Sequence, residues 1–275
     1  MLIKVSKEQW NSEVNYDMRA CRAEQKAYTV QAVANALEIL ELLVDQPTTP
    51  TLGWIAEALG LSRNKAFRLL ETLRERGLVE RDRETSMYLV GMAAVELSQK
   101  LLRKAPVVAH AHPIIEEIAR RHDETVYMTV MRGDSVVFVD MADSDRQVKP
   151  VTVLGKRFPY FTNAAGKAMK ALESVDPLNL LRKPGRRRKS LNVELLANEL
   201  ADIREKGVAV DFGGLGEGIV SVAVAVRDYA GKVVGAITIL VPAFRIVADR
   251  LENEIIPSLR EGAEILSMKF GHAPC

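Results

Sequence analysis

Cysteine is scarce. Cys21 and Cys275 are the only two in 275 residues and sit near opposite ends of the chain, which leaves no basis for a disulfide framework. A strong charge of either sign is also missing. The formal net charge is +2, so no whole-protein field points to nucleic acid or membrane, and only a local pattern can do so. Long apolar runs are absent too: IVSVAVAV (219–226) and VVGAITILVPAF (233–244) fall short of the roughly 20 residues that cross a bilayer, and they read as buried strands. The opening MLIKVSKEQWNSEVNYDMRACR lacks the apolar stretch of a secretion signal. These absences predict a cytoplasmic protein with no membrane partner. The sequence holds no internal repeat or low-complexity tract. It also shows no local Ser, His and Asp arrangement, so an enzyme is not expected. His110 and His112 lie about 200° apart around a helix with no Cys or acidic partner, which favours a structural role over metal. No cofactor is expected.

What is present divides in two. The length suits two domains, each with its own core. Residues 1–27 form a polar extension. From there, Val33, Leu37, Leu40 and Val44 mark one stripe of a helix that ends in the breaker cluster DQPTTP. Thr51 is placed to cap a second helix with the stripe Leu52, Ile55, Ala56 and Leu59, and Gly60 suits the left-handed turn behind it. Ser62 caps a third, striped by Ala66, Leu69, Leu70 and Leu73 and closed by Gly77; Lys65 at the N3 position means that the capping box is incomplete. Two short strands, Leu78 to Arg81 and Met87 to Val90, make a hairpin around DRETS. This is the winged helix-turn-helix order, over residues 28–91.

Charge is segregated inside that domain. From Tyr28 to Leu61 the formal charges are Glu38, Glu41, Asp45 and Glu57. From Ser62 to Arg83 they are Arg63, Lys65, Arg68, Arg74, Arg76, Arg81 and Arg83 against Glu71, Glu75, Glu80 and Asp82. Asn64, Arg68, Glu71 and Glu75 project opposite the leucine stripe, flanked by Lys65 and Phe67. In a helix-turn-helix the start of the second helix reaches base edges, where Arg and Lys match guanine and Asn matches adenine. Ser62, Arg63, Asn64, Lys65, Phe67 and Arg68, with Arg81 and Arg83 on the wing, are the candidate contacts to double-stranded DNA. Glu71 and Glu75 would oppose phosphates, so only the first two turns are expected in the groove. The plain alternative is a solvated basic helix.

Residues 92–105 read as a linker helix ending at Pro106, followed by a helix to about His122. Residues 106–275 then alternate strands and helices. TVYMTVM and SVVFVDM flank the turn residues RGD, VKPVTV is a third strand, and NAAGKAMKAL and VELLANELADIREK are helices. VAVD, IVSVAVAVRD and VVGAITILV are further strands, and the amphipathic stretch Val247 to Phe270 carries Pro257 as a kink. An α+β fold around a largely antiparallel sheet follows. NAAGKA opens a helix with small side chains, so the amides near Ala164, Ala165 and Gly166 can either meet an anion or simply let the helix pack closely on the sheet. GGLGEG (213–218) leads into a strand, not a helix, which disfavours a dinucleotide loop and suggests a mobile connection. RRRK (186–189) reads as a solvated loop.

The run LGLSRNKAFRLLETLRERGLVER resembles the N-terminal domain of the IclR family of bacterial transcriptional regulators. TNAAGKAMKA resembles that family's effector-domain GKA helix, and LANELADIREKGVAVDFGGLGEGIVSVAVAVRDYAGKVVGAITI resembles its C-terminal block. The resemblance spans about residues 28–271. It implies a GAF-like α/β effector-binding domain, a homodimer or dimer of dimers, and a DNA operator controlled by a small-molecule effector, with an organic acid as the expected class. It also implies that the backbone of Ala164 and Ala165 binds the effector, with Asp211 and Ser221 as polar positions across the pocket; Asn163 and Gly166 at the helix start and Phe158 as an apolar wall complete the candidate set. Ser221 stands where some members carry cysteine, and GGLGEG replaces acidic residues common after that aspartate. The competing expectation is a small-molecule-binding protein or enzyme with an incidental helix-turn-helix.

Overall fold

The computed structural model describes residues 29–46, 48–173 and 193–273, and falls into two units that divide between Leu101 and Leu102. The N-terminal extension and the RRRK tract lie outside the described residues. In the first unit α1 (Gln31–Asp45), α2 (Leu52–Ala58) and α3 (Arg63–Glu75) precede the hairpin β1 (Val79–Arg81) and β2 (Tyr88–Val90). Local chemistry sets the boundaries of α2 and α3. Thr51 Oγ1 accepts from the Trp54 amide at 3.4 Å and Ser62 Oγ from the Lys65 amide at 3.3 Å, so each side chain satisfies an amide that the first helical turn leaves open. Gly60 and Gly77 end α2 and α3 at φ of 65° and 68°, a region that glycine enters without steric cost. In the wing, Asp82 Oδ1 gathers the Glu84 and Thr85 amides and the Thr85 hydroxyl.

The core of this unit is Ile39, Leu43, Ile55, Leu70, Leu73, Val79 and Tyr88. Of the expected α1 stripe Leu40 alone packs against it. Asn35, Ile39 and Leu43 are the buried line, while Val33, Leu37 and Val44 are each more than half exposed. The helix is apolar on two faces, so spacing alone could not choose between them.

The helix α4 (Met92–Lys104) leads to α5 (Pro106–His122), which ends with Asp123 in the left-handed region. The second unit is built on a six-stranded sheet, all neighbours antiparallel, in the order β5-β4-β3-β8-β7-β6. The strands are β3 (Thr125–Arg132), β4 (Ser135–Ala142), β5 (Arg157–Pro159), β6 (Ala209–Phe212), β7 (Ile219–Arg227) and β8 (Val233–Pro242). Helices α6 (Ala164–Ala171) and α7 (Val193–Lys206) cover one face. The other face carries α5 and α8 (Ile256–Lys269). Alternation along the strands sorts the two cores: Val126 and Met128 go with α5 and α8, while Tyr127 between them goes with α6.

Two expectations are corrected here. VKPVTV is not a strand; Pro150 has no amide to donate, Lys149 is held by Asp143 and the Ser144 carbonyl, and the Val148 carbonyl accepts from Arg245. The strand that pairs with β4 is Arg157–Pro159. Near the C-terminus the irregularity precedes Pro257: Leu251–Ile255 form a π turn, and Pro257 sits in the first turn of α8, where a missing amide costs nothing.

Candidate nucleic-acid interface and effector site

On α3, Ala66, Leu70 and Leu73 are buried, and Ser62, Arg63, Asn64, Lys65, Phe67 and Arg68 are all exposed. Exposure does not make them equivalent. With the Asn35 amide turned so that its oxygen faces the lysine, Lys65 Nζ donates to it at 2.9 Å, tying α3 back to buried Asn35 of α1. A Cβ added at Gly53 of α2 would stand 3.5 Å from the Arg63 guanidinium. Glu71 holds Arg74 at 2.7 Å, and that hydrogen bond keeps the Glu71 carboxyl below its ordinary range. The acidic neighbour expected to repel phosphate is thus already paired. On the wing Arg81 stacks over the Tyr88 ring at 5.7 Å, and Arg83 is exposed at the turn. One helix face is therefore fixed to the core and the opposite, largely basic one is open.

In the second unit the expected effector residues converge. Asp211 and Ser221 are direct partners in the β6–β7 ladder, so both point to the α6 face of the sheet. Ser221 Oγ accepts from the Ala164 amide at 3.3 Å, and Asn163 Oδ1 caps the helix through the Gly166 amide at 3.0 Å. Two of the three amides predicted to await an anion are thus already engaged, so a ligand at the Ala164 amide competes with the Ser221 hydroxyl. Gly166 is a packing glycine: a Cβ there would stand 2.2 Å from the Tyr160 carbonyl oxygen. Phe158 is buried edge-on against Phe138, which in turn meets Tyr127.

Spacing did not point to Lys167 and Glu199. Lys167 Nζ donates to Asp211 Oδ2 at 2.6 Å and to Glu199 Oε1 at 2.7 Å. Burial alone would lower its pKa, but the two carboxylates outweigh burial and hold it above the ordinary lysine value. The visible hint was the pair Lys167 and Lys170 inside AAGKAMKA, a segment whose other residues are all small or apolar, since a buried ammonium demands a partner. The other Asp211 oxygen accepts from the Gly214 amide at 2.9 Å. GGLGEG is consequently a tied turn: Gly213 donates to Ile219, and Ile219 donates to Gly216. His112 pairs with Asp140 at 2.9 Å and His110 packs on Phe270. Among the described residues no group of three or more His, Cys, Asp or Glu could hold a metal, and no helix is long and apolar enough to cross a membrane.

Residues 32–83 match the family described as the IclR helix-turn-helix domain, and residues 99–268 match the bacterial transcriptional regulator IclR C-terminal family. The chain belongs to the IclR family. It is 27% identical over 255 residues to the HTH-type transcriptional regulator BhcR of Paracoccus denitrificans, covering 89% of this chain and 88% of that protein. Among solved structures, an IclR transcriptional regulator from Alicyclobacillus acidocaldarius superposes with a TM-score of 0.77 at 28% identity, over 88% of this chain and 99% of its own. The Thermotoga maritima IclR does so at 0.69 and 28%, over 89% and 100%. As an IclR-family regulator the chain pairs a DNA-binding helix-turn-helix domain with a C-terminal effector-binding domain. Relatives carry the names of regulators rather than enzymes.

Proposed function

We propose that this regulator reads its operator with the N-terminal half of α3 and yields to a small organic acid bound beside α6. The observation that carries the first half is the division of α3: a core face of Ala66, Leu70 and Leu73, a Ser62 cap, and an open face bearing Arg63, Asn64, Phe67 and Arg68. Ser62, Arg81 and Arg83 contact phosphates, and Lys65 divides its role between the groove and Asn35. The second half rests on Ala164, Ser221, Asp211 and Lys167, which bring a helix-start amide, a hydroxyl, a carboxylate and an ammonium together on the face of the sheet whose core also holds Phe158 and Phe138. An acid takes the Ala164 amide and the Lys167 ammonium while Asp211 accepts from a hydroxyl of the same ligand. Asn163, Ala165 and Gly166 shape the helix start.

The homodimer, or dimer of dimers, forms through the exposed apolar face of α1, with Val33, Leu37 and Val44, and through Met92, Val95 and Leu101 of α4. The ligand acts only by binding one arrangement of the two reading heads better than the other.

Duplex-DNA binding over a salt series tests the first half. Affinity should fall linearly on a log–log plot, and Arg68→Ala should weaken it. Absence of binding at moderate salt, with or without acids, would refute the operator reading. Hydroxybenzoate and lactate, each with a carboxylate and a hydroxyl, test the second in a thermal-shift assay. Saturation at about 100 times the dissociation constant stabilises by roughly 2.7 kcal/mol, and Asp211→Ala should abolish the rise.

A further inference from the structure

On the open face of α3, Asn64, Phe67 and Arg68 stand at i, i+3 and i+4, so they share one edge of the helix. Their neighbours are occupied. Lys65 reaches Asn35, Arg74 is held by Glu71, and Arg81 lies over Tyr88. Among the described residues the side chains of Asn64 and Arg68 make no hydrogen bond of their own. Phe67 is 42% exposed, although Ala66 beside it and Leu70 one turn on are fully buried. A helix that buries Ala66, Leu70 and Leu73 leaves a single phenyl ring outside, between a side chain suited to adenine and one suited to guanine.

Resting on the reading of α3 as the recognition helix, the geometry points to Phe67 as the residue that reads the 5-methyl group of a thymine in the major groove. Thymine is the one base whose major-groove edge presents an apolar group, and a phenyl ring has no hydrogen-bonding atom with which to reward the edges of the other bases. Its discrimination comes from burying the methyl. The three residues divide the work: Asn64 and Arg68 select by hydrogen-bond pattern, and Phe67 selects by removing a methyl and its own ring from water. The surrounding positive charge of Arg63 and Arg68 holds the ring at the polyanion, which gives this exposed aromatic its specific occupant.

The test uses the full-length protein. Operator sequences are selected from random duplexes with wild type, and each thymine of the selected site is then replaced by deoxyuridine, which keeps every hydrogen-bonding group and deletes only the methyl. Wild type should lose about fourfold in affinity per half-site at one thymine, the worth of one methyl group. Phe67→Ala should bind thymine and uracil duplexes alike, and Phe67→Leu should recover part of the preference. Equal melting temperatures of the variants would show that the fold is kept. Wild-type affinity unchanged by uracil at every position, or undiminished discrimination in Phe67→Ala, would overturn the proposal. Enrichment of no duplex at all would instead sink the recognition-helix assignment, and the role of Phe67 with it.

Discussion

The ammonium of Lys167 lies 2.6 Å from Asp211 Oδ2, and both side chains are almost entirely removed from water. Glu199, which is more open, is the lysine's second partner at 2.7 Å. Removal of one member of a buried pair leaves the other charged without compensation, which costs about 3–5 kcal/mol. Lys167→Met strands two carboxylates and should approach that loss. Asp211→Asn leaves Lys167 its bond to Glu199 and should cost distinctly less. Urea unfolding midpoints at constant slope decide the order; equal losses would show that Glu199 contributes nothing.

Gly214 is predicted to be irreplaceable for the loop but not for the fold. A Cβ there would stand 1.8 Å from the Thr162 carbonyl oxygen and 2.3 Å from Asp211 Oδ1. In Gly214→Ala the turn must lift and release Asp211. The expected outcome is faster amide exchange at residues 213–218 with a melting temperature close to wild type. Unchanged protection would mean that the turn accommodates the methyl in place.

Glu124 is fully buried between two arginines: Arg245 donates to it twice, at 2.8 and 2.7 Å, and Arg250 once, at 3.2 Å. The same arginines reach the Val148 and His122 carbonyls, so one carboxylate joins α5, the 143–149 loop and the start of the C-terminal helix. Glu124→Ala should destabilise by about 3–5 kcal/mol. Glu124→Gln keeps an acceptor and should lose less. A loss below about 1 kcal/mol for the alanine variant, read by calorimetry, would remove this carboxylate from the account of stability.

His122 gives a pH signature. Burial, then the positive charges of Arg250 and Arg121, push its pKa below the ordinary 6.5, and its Nε2 is buried with no hydrogen-bond partner. The unfolded chain therefore takes up a proton first as pH falls. Stability is unaffected by His122 above the unfolded pKa and declines as pH drops through it towards the lower folded value. Between about pH 7.5 and about pH 5.5 wild type should lose more stability than His122→Phe, which has no imidazole to protonate. Parallel losses in the two proteins would exclude His122 as the titrating group.

Much of the architecture is legible because the devices that set it are local. Thr51 and Ser62 caps, Gly60 and Gly77 turns, the RGD hairpin and the YAGK turn each act within a few residues. The α1 face was not legible, since Leu and Val occur on two sides of the helix and only tertiary packing selects Ile39 and Leu43. Residues 148–153 have strand composition, but Pro150 and the claim of Arg245 on the Val148 carbonyl hold them out of the sheet. The candidate effector positions Asp211 and Ser221 came from family likeness; the β6–β7 register explains why they share a face. Glu124 and its arginines stand 121 and 126 positions apart, a distance at which no spacing rule applies.

The place of β3 in the sheet has a consequence for synthesis. It pairs on one side with β4, three residues onward, and on the other with β8, where Thr125 meets Leu240. A ribosome adding about 5–20 residues per second needs on the order of ten seconds to cover that interval. Throughout it the nascent hairpin of β3 and β4 carries an open inner edge, and Val126 and Met128 lack the α8 layer that later covers them. An unpaired inner edge is a template for pairing with another chain, so slowed translation before β8 should drive nascent chains of this regulator into aggregates rather than into partly active protein.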